Sequence, residues 1–354
     1  MKSGDAKPTI MDVARLADVS MKTVSRVINK EPNVRDELRE RVTQAASMLG
    51  YRPNFSARSL AGMRSFLIGY LFGDPGGDYM HRVQVSLLNR CRDAGYHLLV
   101  EQIDAAADDV ADRTAALVSQ LRLDGVILTA PITDHRDVLR VLDGARVPYV
   151  RIAPDIDSDR SPQVRIDDFR AARELTDHLL GLGHREIGFI KGDPWHAAGR
   201  LRLEGFRSAL LAHGLPVREA WIEQGSFSYQ SGVECARRLL GHGHRPTAIM
   251  ASNDDMAAGA IAVAHELQIR VPEQLSVVGF DDAPIAQVVW PALTTVRQPI
   301  GLMADVAAEI LLARLAERNG SQWPQPMPRR ELAYELKLRA STAPAAVAAA
   351  AASG

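Results

Sequence analysis

A short polar helix face near the N-terminus is the first place where residue types and spacing could do chemistry. Four residues share that face at helical spacing: Met21, Lys22, Ser25 and Arg26. Lysine and arginine on such a face can donate hydrogen bonds to the O6 and N7 acceptors of guanine in a DNA major groove. The alternative is a solvated basic face on an ordinary three-helix bundle, and the spacing alone leaves both interpretations open.

A second group of candidate residues follows apolar runs in the rest of the chain. Aromatic or polar residues come shortly after four such runs: Asp74 and Tyr79; Trp195, Arg200 and Arg202; Asn253 and Asp254; Asp281 and Asp282. Open parallel sheets bind ligands at the carboxyl ends of their strands. Amide, carboxylate and guanidinium groups suit vicinal hydroxyls, and an aromatic ring suits the apolar face of a sugar. Each residue alone could be a helix cap or a loop ion pair, but their convergence favours a binding site.

The N-terminal polar face is predicted to belong to a helix-turn-helix. Thr9 and Asp12 have the form of a capping box for a first helix, and Ser20 is an N-cap candidate for the second. A third amphipathic helix is predicted to follow Asn33 and to end at Gly50. Up to residue 64 the chain holds 12 Lys and Arg against 7 Asp and Glu, whereas the remainder holds 30 against 36. A basic head on an acidic body suggests a polyanion partner for the head alone.

The rest of the 354-residue chain alternates short apolar runs with amphipathic helical stretches. Seven strands are predicted, over residues 66–72, 96–103, 125–130, 148–152, 187–192, 247–252 and 275–282. Strands that alternate with helices indicate parallel sheets built of βαβ units, and the length predicts two such lobes. The predicted fold is therefore an all-α head followed by a two-lobed α/β core.

Several classes of protein are disfavoured by what the sequence lacks. Apolar runs are too short to span a membrane, and Asp5, Asp12 and Arg15 interrupt any signal peptide. The two cysteines, Cys91 and Cys235, have no metal or disulfide spacing and are typical of a cytoplasmic protein. The motifs of nucleotide hydrolases, dinucleotide enzymes and serine hydrolases do not occur in the sequence. We therefore expect no enzyme activity, no catalytic residues, no cofactor and no metal site.

The N-terminal segment resembles the LacI/GalR family of bacterial repressors. The resemblance rests on TIMDVARLADVSMKTVSRVIN, residues 9–29, followed by YRPNFSARSLAG, residues 51–62. It implies that the helix-turn-helix spans residues 1–52 and that 53–64 forms a hinge helix on operator DNA. Leu60 would then wedge into the minor groove, with Asn54 and Ala57 beside it. By its residues alone, 51–65 would be interpreted as a linker with one stray leucine.

The resemblance continues through residues 65–342, in segments such as ASNDDMAAGA, LSVVGFDD and PALTTVRQP. It implies a periplasmic-binding-protein-like core, with a first lobe of about 65–164 and 297–325 and a second of about 165–296 and 326–342. It assigns effector contacts in the cleft to Arg202, Asn253, Asp281, Phe227 and Gln298. The Ala-rich segment 343–354 is predicted to be disordered.

One position departs from the family pattern. Where many members place an aspartate in the cleft, VPYVRIA has Ala153, and Arg151 lies two residues earlier. This change leaves room for a larger, modified or acidic sugar, with Arg151 as a further contact.

Together these observations predict a homodimeric repressor of carbohydrate-utilisation genes. It would bind a pseudo-palindromic operator and be released when a sugar or sugar derivative binds between the lobes. It would be cytoplasmic, and associated with the nucleoid when bound to DNA. One alternative is a regulator that responds to a purine-like or phosphorylated corepressor. A sugar-binding transport receptor is disfavoured, because receptors need export and lack a DNA-reading head.

Overall fold

A computed structural model describes residues 8–28, 34–51, 64–73, 77–241, 243–317, 323 and 326–345. The chain divides into two compact units, Met1–Ser65 and Phe66–Gly354. Some of the predicted features lie outside the described residues: Asn33, the hinge positions Asn54, Ala57 and Leu60, the cleft candidate Asp74, and 346–354 of the tail.

The N-terminal unit contains α1 (Ile10–Leu16), α2 (Met21–Ile28) and α3 (Asp36–Met48). Thr9 closes the predicted capping box, since its backbone N and its Oγ1 both donate to Asp12 Oδ2, at 2.9 and 2.7 Å. Ser20 Oγ accepts from the backbone N of Thr23 at 3.1 Å, which confirms the second predicted cap. A small apolar core holds the helices together, with Val13, Val24 and Val42 almost completely buried.

The second unit contains two parallel sheets and a two-stranded antiparallel ribbon. The strands in chain order are β1 (Leu67–Phe72), β2 (His97–Gln102), β3 (Gly125–Leu128), β4 (Tyr149–Ile152), β5 (Gln163–Arg165), β6 (Ile187–Lys191), β7 (Ile222–Gln224), β8 (Ala248–Ala251), β9 (Ser276–Val278), β10 (Thr295–Arg297), β11 (Arg329–Glu331) and β12 (Glu335–Lys337). The first sheet has the order β11-β5-β4-β3-β1-β2, and the second has the order β7-β6-β8-β9. β10 pairs with β12.

Helices cover both faces of these sheets. In chain order they are α4 (Gly77–Asp93), α5 (Val110–Leu121), α6 (Arg136–Gly144), α7 (Asp168–Gly181), α8 (Ala197–Ala212), α9 (Tyr229–Leu240), α10 (Asp254–Glu266), α11 (Ile285–Val288) and α12 (Ile300–Ala316). Successive strand residues enter different apolar clusters, as Tyr70 and Leu71 do in β1. Parallel strands buried on both faces in this way require helix layers on each side. No helix in the described ranges is long and apolar enough to cross a membrane.

The predicted α/β fold is confirmed, but five strands were not predicted. These are β5, β7, β10, β11 and β12, each of three residues. Three residues are too few to show alternation, and β11 is entirely exposed and charged. Because β11 pairs with β5 in the first sheet, the predicted assignment of 326–342 to the second lobe is wrong at its start.

A C-terminal seam, residues 341–345, runs beside β9. Val277 N donates to Ser341 O at 2.9 Å, and Thr294 N donates to Ser341 Oγ at 2.8 Å. Further along, Ala345 N donates to Leu182 O at 2.8 Å. The start of the predicted tail, 343–345, is therefore hydrogen-bonded into the second unit.

Candidate ligand cleft and recognition helix

An inner chamber of about 360 Å³ lies where strands of both parallel sheets end. Six of the nine predicted cleft residues line it: Tyr79, Arg202, Phe227, Asn253, Asp281 and Gln298. Within the described residues its walls also carry three further carboxylates, from Asp78, Asp168 and Asp255. The chamber thus combines aromatic rings with a dense set of hydrogen-bonding groups.

Arg202 is the cation of this chamber and is 4% exposed. It lies on α8, where its Nε donates to Asp168 Oδ1 at 2.8 Å and its Nη1 donates to Ser252 O. The same Nη1 is 3.7 Å from Asp281 Oδ1, and the guanidinium lies 3.7 Å from the centre of the Phe280 ring. These contacts fix its orientation before any ligand arrives.

Asp281 follows β9 in a left-handed backbone conformation, with φ of 109°. Its Oδ1 accepts from Gln298 Nε2 at 2.6 Å, and its backbone N donates to Val296 O at 2.8 Å. Burial raises the pKa of Asp281 to about 6, against the opposing effect of Arg202. Above that pH the carboxylate can accept hydrogen bonds from hydroxyl groups.

Asn253 caps α10 and also positions the aromatic wall. Its Oδ1 accepts from Met256 N at 3.0 Å, and its Nδ2 donates to Phe227 O at 2.7 Å. The Phe227 ring lies over Gly192, where an added Cβ would be 2.0 Å from Phe227 Cζ. The flat face that the ring offers therefore depends on the absence of a side chain at residue 192.

Two of the sequence candidates next to these residues serve the fold. Asp254 Oδ2 accepts from Ala283 N at 2.7 Å and its Oδ1 accepts from Thr295 Oγ1 at 2.6 Å. Asp282 forms ion pairs with Arg297 and Arg339. Their carboxylates join the loop after β9 to the ribbon rather than line the chamber.

Arg151 does not line the inner chamber, so its predicted role as a ligand contact is incorrect. Its side chain is completely buried, with Nε donating to Ser161 Oγ at 2.9 Å and Nη1 donating to Ile156 O at 2.8 Å. Burial lowers the pKa of this guanidinium, and Asp134, 3.4 Å away, opposes that effect. Arg151 therefore holds the loop after β4, while Ala153 lines the chamber.

Trp195 also lies apart from the inner chamber, contrary to its predicted place in one set with Arg202. Its side chain is exposed at the edge of a second cavity of about 500 Å³, the outer chamber. The two chambers share His196 and Ser226 in their walls. Asp74 lies outside the described residues.

The helix face predicted to read DNA is presented on α2. Val24 and Val27 are buried against α1 and α3, whereas Met21 and Lys22 are exposed. Ser25 and Arg26 are half-buried. The predicted inward orientation of the apolar stripe is confirmed, and Met21 and Lys22 lie on the exposed side.

Comparison with known proteins identifies the family. Residues 9–54 match the model of bacterial regulatory proteins of the lacI family, and residues 176–342 match a periplasmic binding protein-like domain. The transcriptional repressor PurR of Klebsiella pneumoniae is 35% identical over 88% of this chain and 91% of its own. The chain belongs to the LacI family of bacterial transcription regulators.

Two solved structures of this fold extend the comparison. A lac repressor dimer bound to operator and the anti-inducer ONPF has a TM-score of 0.80 at 27% identity, over 96% of this chain and all of its own. A complex of the regulator CelR with cellobiose has a TM-score of 0.72 at 30% identity, over 94% of this chain and 99% of its own. This LacI-family chain is therefore a DNA-binding transcription regulator with a ligand-binding core, and not an enzyme.

Sequence reasoning missed several residues that line this regulator's inner chamber. Asp168 follows β5, a strand too short to be predicted, and its position at the start of α7 is typical of a helix cap. Asp255 similarly has the appearance of an acidic residue in the first turn of α10. The available signal was that neighbouring residues in a helical turn point in different directions. Asp255 can therefore line the chamber while Asp254 contacts the loop after β9.

Proposed function

We propose that this regulator is a dimeric repressor whose effector is a neutral sugar held in the inner chamber. The observation that carries the proposal is the grouping of Asp281, Asn253 and Arg202 around the Phe227 ring. Carboxylate, amide and guanidinium groups complement hydroxyls in both directions, and the ring suits the apolar face of a pyranose.

The charges of the chamber favour a neutral ligand over an acidic one. Among the described lining residues, four carboxylates accompany one guanidinium, and Arg202 is already paired with Asp168. A uronate or phosphate would bring a further anion among these carboxylates, and like charges at short distance disfavour binding. This supports a neutral sugar and argues against the phosphorylated corepressor considered from the sequence.

A purine-like corepressor is the second candidate, because Phe227 could stack on a planar base as well as on a sugar. The relative PurR is 35% identical over 88% of this chain, so family membership does not separate the two classes. The polar residues around the ring favour a ligand with many hydroxyls.

For DNA, we propose that Met21, Lys22, Ser25 and Arg26 contact bases in each half of a pseudo-palindromic operator. The solved lac repressor dimer on operator supports a two-fold arrangement of this kind. Asn54, Ala57 and Leu60 are proposed to form the hinge that widens the minor groove between half-sites. Light scattering of the purified protein with and without selected DNA tests the dimer.

The effector is tested by operator release. An operator is first selected from random double-stranded DNA, and its binding is then titrated against neutral sugars, uronic acids, sugar phosphates and purines. We expect a neutral sugar to weaken operator binding. Tighter operator binding with a purine would establish the corepressor alternative, and a response confined to uronates or phosphates would contradict the charge argument.

A further inference from the structure

The outer chamber adjoins the inner one and differs from it in its lining. Its walls come from the loop after β1, from Asp104 to Ala106, from the start of α6 and from the loop before α8. His196 stands between the two chambers and packs edge-on against Phe227, with ring centres 5.2 Å apart. The two chambers are therefore adjacent, with His196 at their boundary.

Trp195 presents a flat apolar face at the outer chamber. Its side chain is 77% exposed, yet its backbone is held in place because its N donates to Asp193 Oδ1 at 2.8 Å. An exposed indole leaves a large apolar area in water, and covering that area on binding is favourable. That hydrogen bond reduces the amount of chain that has to be ordered when the indole is covered.

One buried polar atom of the same chamber, Nδ1 of His135 just before α6, has no hydrogen-bond partner within the described part of the chain. The Nδ1 of His196, just before α8, is 3.6 Å from Asp193 Oδ1, which is longer than a normal hydrogen bond. Buried polar atoms are rarely left unpaired. Hydroxyl groups can serve either tautomer of each ring, since they both donate and accept.

From these three observations we propose that the effector is an oligosaccharide of at least two linked sugar rings. One ring occupies the inner chamber, and the next passes His196 to stack on Trp195, with its hydroxyls on His135 and His196. The proposal rests on the proposed sugar function and adds to it the length of the ligand and a second subsite.

Matched pairs of sugars test the second subsite on the full-length protein. Calorimetry compares glucose with cellobiose and maltose, and galactose with lactose and melibiose. We expect at least one disaccharide to bind tenfold or more tighter than its matching monosaccharide. If monosaccharides bind as tightly as every disaccharide, the second subsite is overturned while the sugar function stands.

Two tryptophans provide a matched control. Trp195→Ala should weaken disaccharide binding by tenfold or more and monosaccharide binding by less than twofold. Trp290 is 81% exposed and lines neither chamber, so Trp290→Ala should change neither affinity. Equal disaccharide affinity in the Trp195→Ala and wild-type proteins would remove Trp195 from the site.

Fluorescence gives an independent measurement. A disaccharide should shift tryptophan emission to shorter wavelength in wild-type protein and in Trp290→Phe, and the shift should vanish in Trp195→Phe. Binding by purines, with none by any sugar, would overturn both this proposal and the sugar function.

Discussion

The carboxylates of the inner chamber differ in how closely the positive charge of Arg202 approaches them. Asp168 lies 2.8 Å from Arg202, whereas Asp281 lies 3.7 Å from it and shares Oδ1 with Gln298. Burial raises the pKa of both carboxyls, and that of Asp255 as well. The site therefore holds buried acid groups that are stabilised by protonation or by a hydroxyl-bearing ligand.

The titration of Asp281 gives a prediction about stability. Its pKa rises from 3.8 in the unfolded chain to about 6 in the folded protein, so the folded state retains a proton that the unfolded state has lost. The free energy of unfolding should therefore fall between about pH 4 and 6 and stay lower above that window. Asp281→Asn has no carboxyl to titrate at this position. Between pH 4 and 7 its free energy of unfolding should therefore rise relative to that of wild type, by up to about 3 kcal/mol.

Urea unfolding followed by tryptophan fluorescence measures this difference, because all four tryptophans lie in the second unit. Glu273→Gln changes an exposed acid instead and is the matched control. Wild type and Asp281→Asn curves that stay parallel from pH 4 to 7 would show that Asp281 does not carry the effect.

Sequence patterns placed cleft residues well where a residue lies at the end of a predicted strand or directly after it. Asn253 directly follows the predicted strand 247–252, Asp281 lies at the end of the predicted strand 275–282, and the structure brings both to the inner chamber. Arg151 was misplaced because the loop after β4 folds back and supplies acceptors that alternation along the strand cannot reveal. Alternation along a strand predicts which side of the sheet a side chain is on. The groups that it contacts there depend on the conformation of the neighbouring loop.

Among the elements, α2 carries the specificity proposed for DNA. Arg26→Ala should weaken the free energy of operator binding by roughly 1–3 kcal/mol per half-site, because an arginine that pairs with guanine edges would be lost. Discrimination at one base pair should be relaxed for the same reason. Arg15→Ala removes a charge from α1, outside the proposed reading face, and is the control. Binding measured across an operator library checks this; uniform weakening over all sequences would indicate a phosphate contact instead.

The loop after β6 controls the aromatic wall through Gly192. Gly192→Ala should displace the Phe227 ring, since the new Cβ would be 2.0 Å from Cζ, and effector affinity should fall tenfold or more. Gly144→Ala, where an added Cβ meets nothing within 4 Å, is the matched control. Calorimetry with the sugar found by operator release measures both; unchanged affinity in Gly192→Ala would mean that the ring does not contact the ligand.

Strand length explains part of what was predictable. Six of the seven predicted strands have four to six residues, and β9, which has three, lies within the longer buried run 275–280. The ribbon of β10 and β12 was missed because it is built by pairing distant residues, such as Val296 with Leu336. Such non-local pairing leaves no periodicity within either segment.

For the whole molecule, the central expectation is coupling between effector and operator. Arg202→Ala should leave operator binding near wild type without effector and abolish the response to it, because the ligand loses a buried charged donor. The coupling that would be lost is typically about 1–3 kcal/mol. Operator titration at increasing effector concentration measures it.

Loss of Arg202 also leaves Asp168 without its ion pair, so the unfolding curve of the variant must show that it is folded at the assay temperature. Gln298→Ala removes one neutral donor to Asp281 and is a milder companion. A normal effector midpoint in both folded variants would place the effector elsewhere.

The C-terminal seam bears on how the protein is made. Ser341 supplies hydrogen bonds to the strand at Val277, so the edge of β9 is completed by residues synthesised more than 60 positions later. During synthesis on the ribosome, the edge of β9 would stay unpaired until those residues emerge, and an unpaired strand edge can pair with other chains. A stop codon shortly before Ser341 should accordingly yield a chain prone to aggregation, while a reporter joined after residue 345 leaves the seam whole.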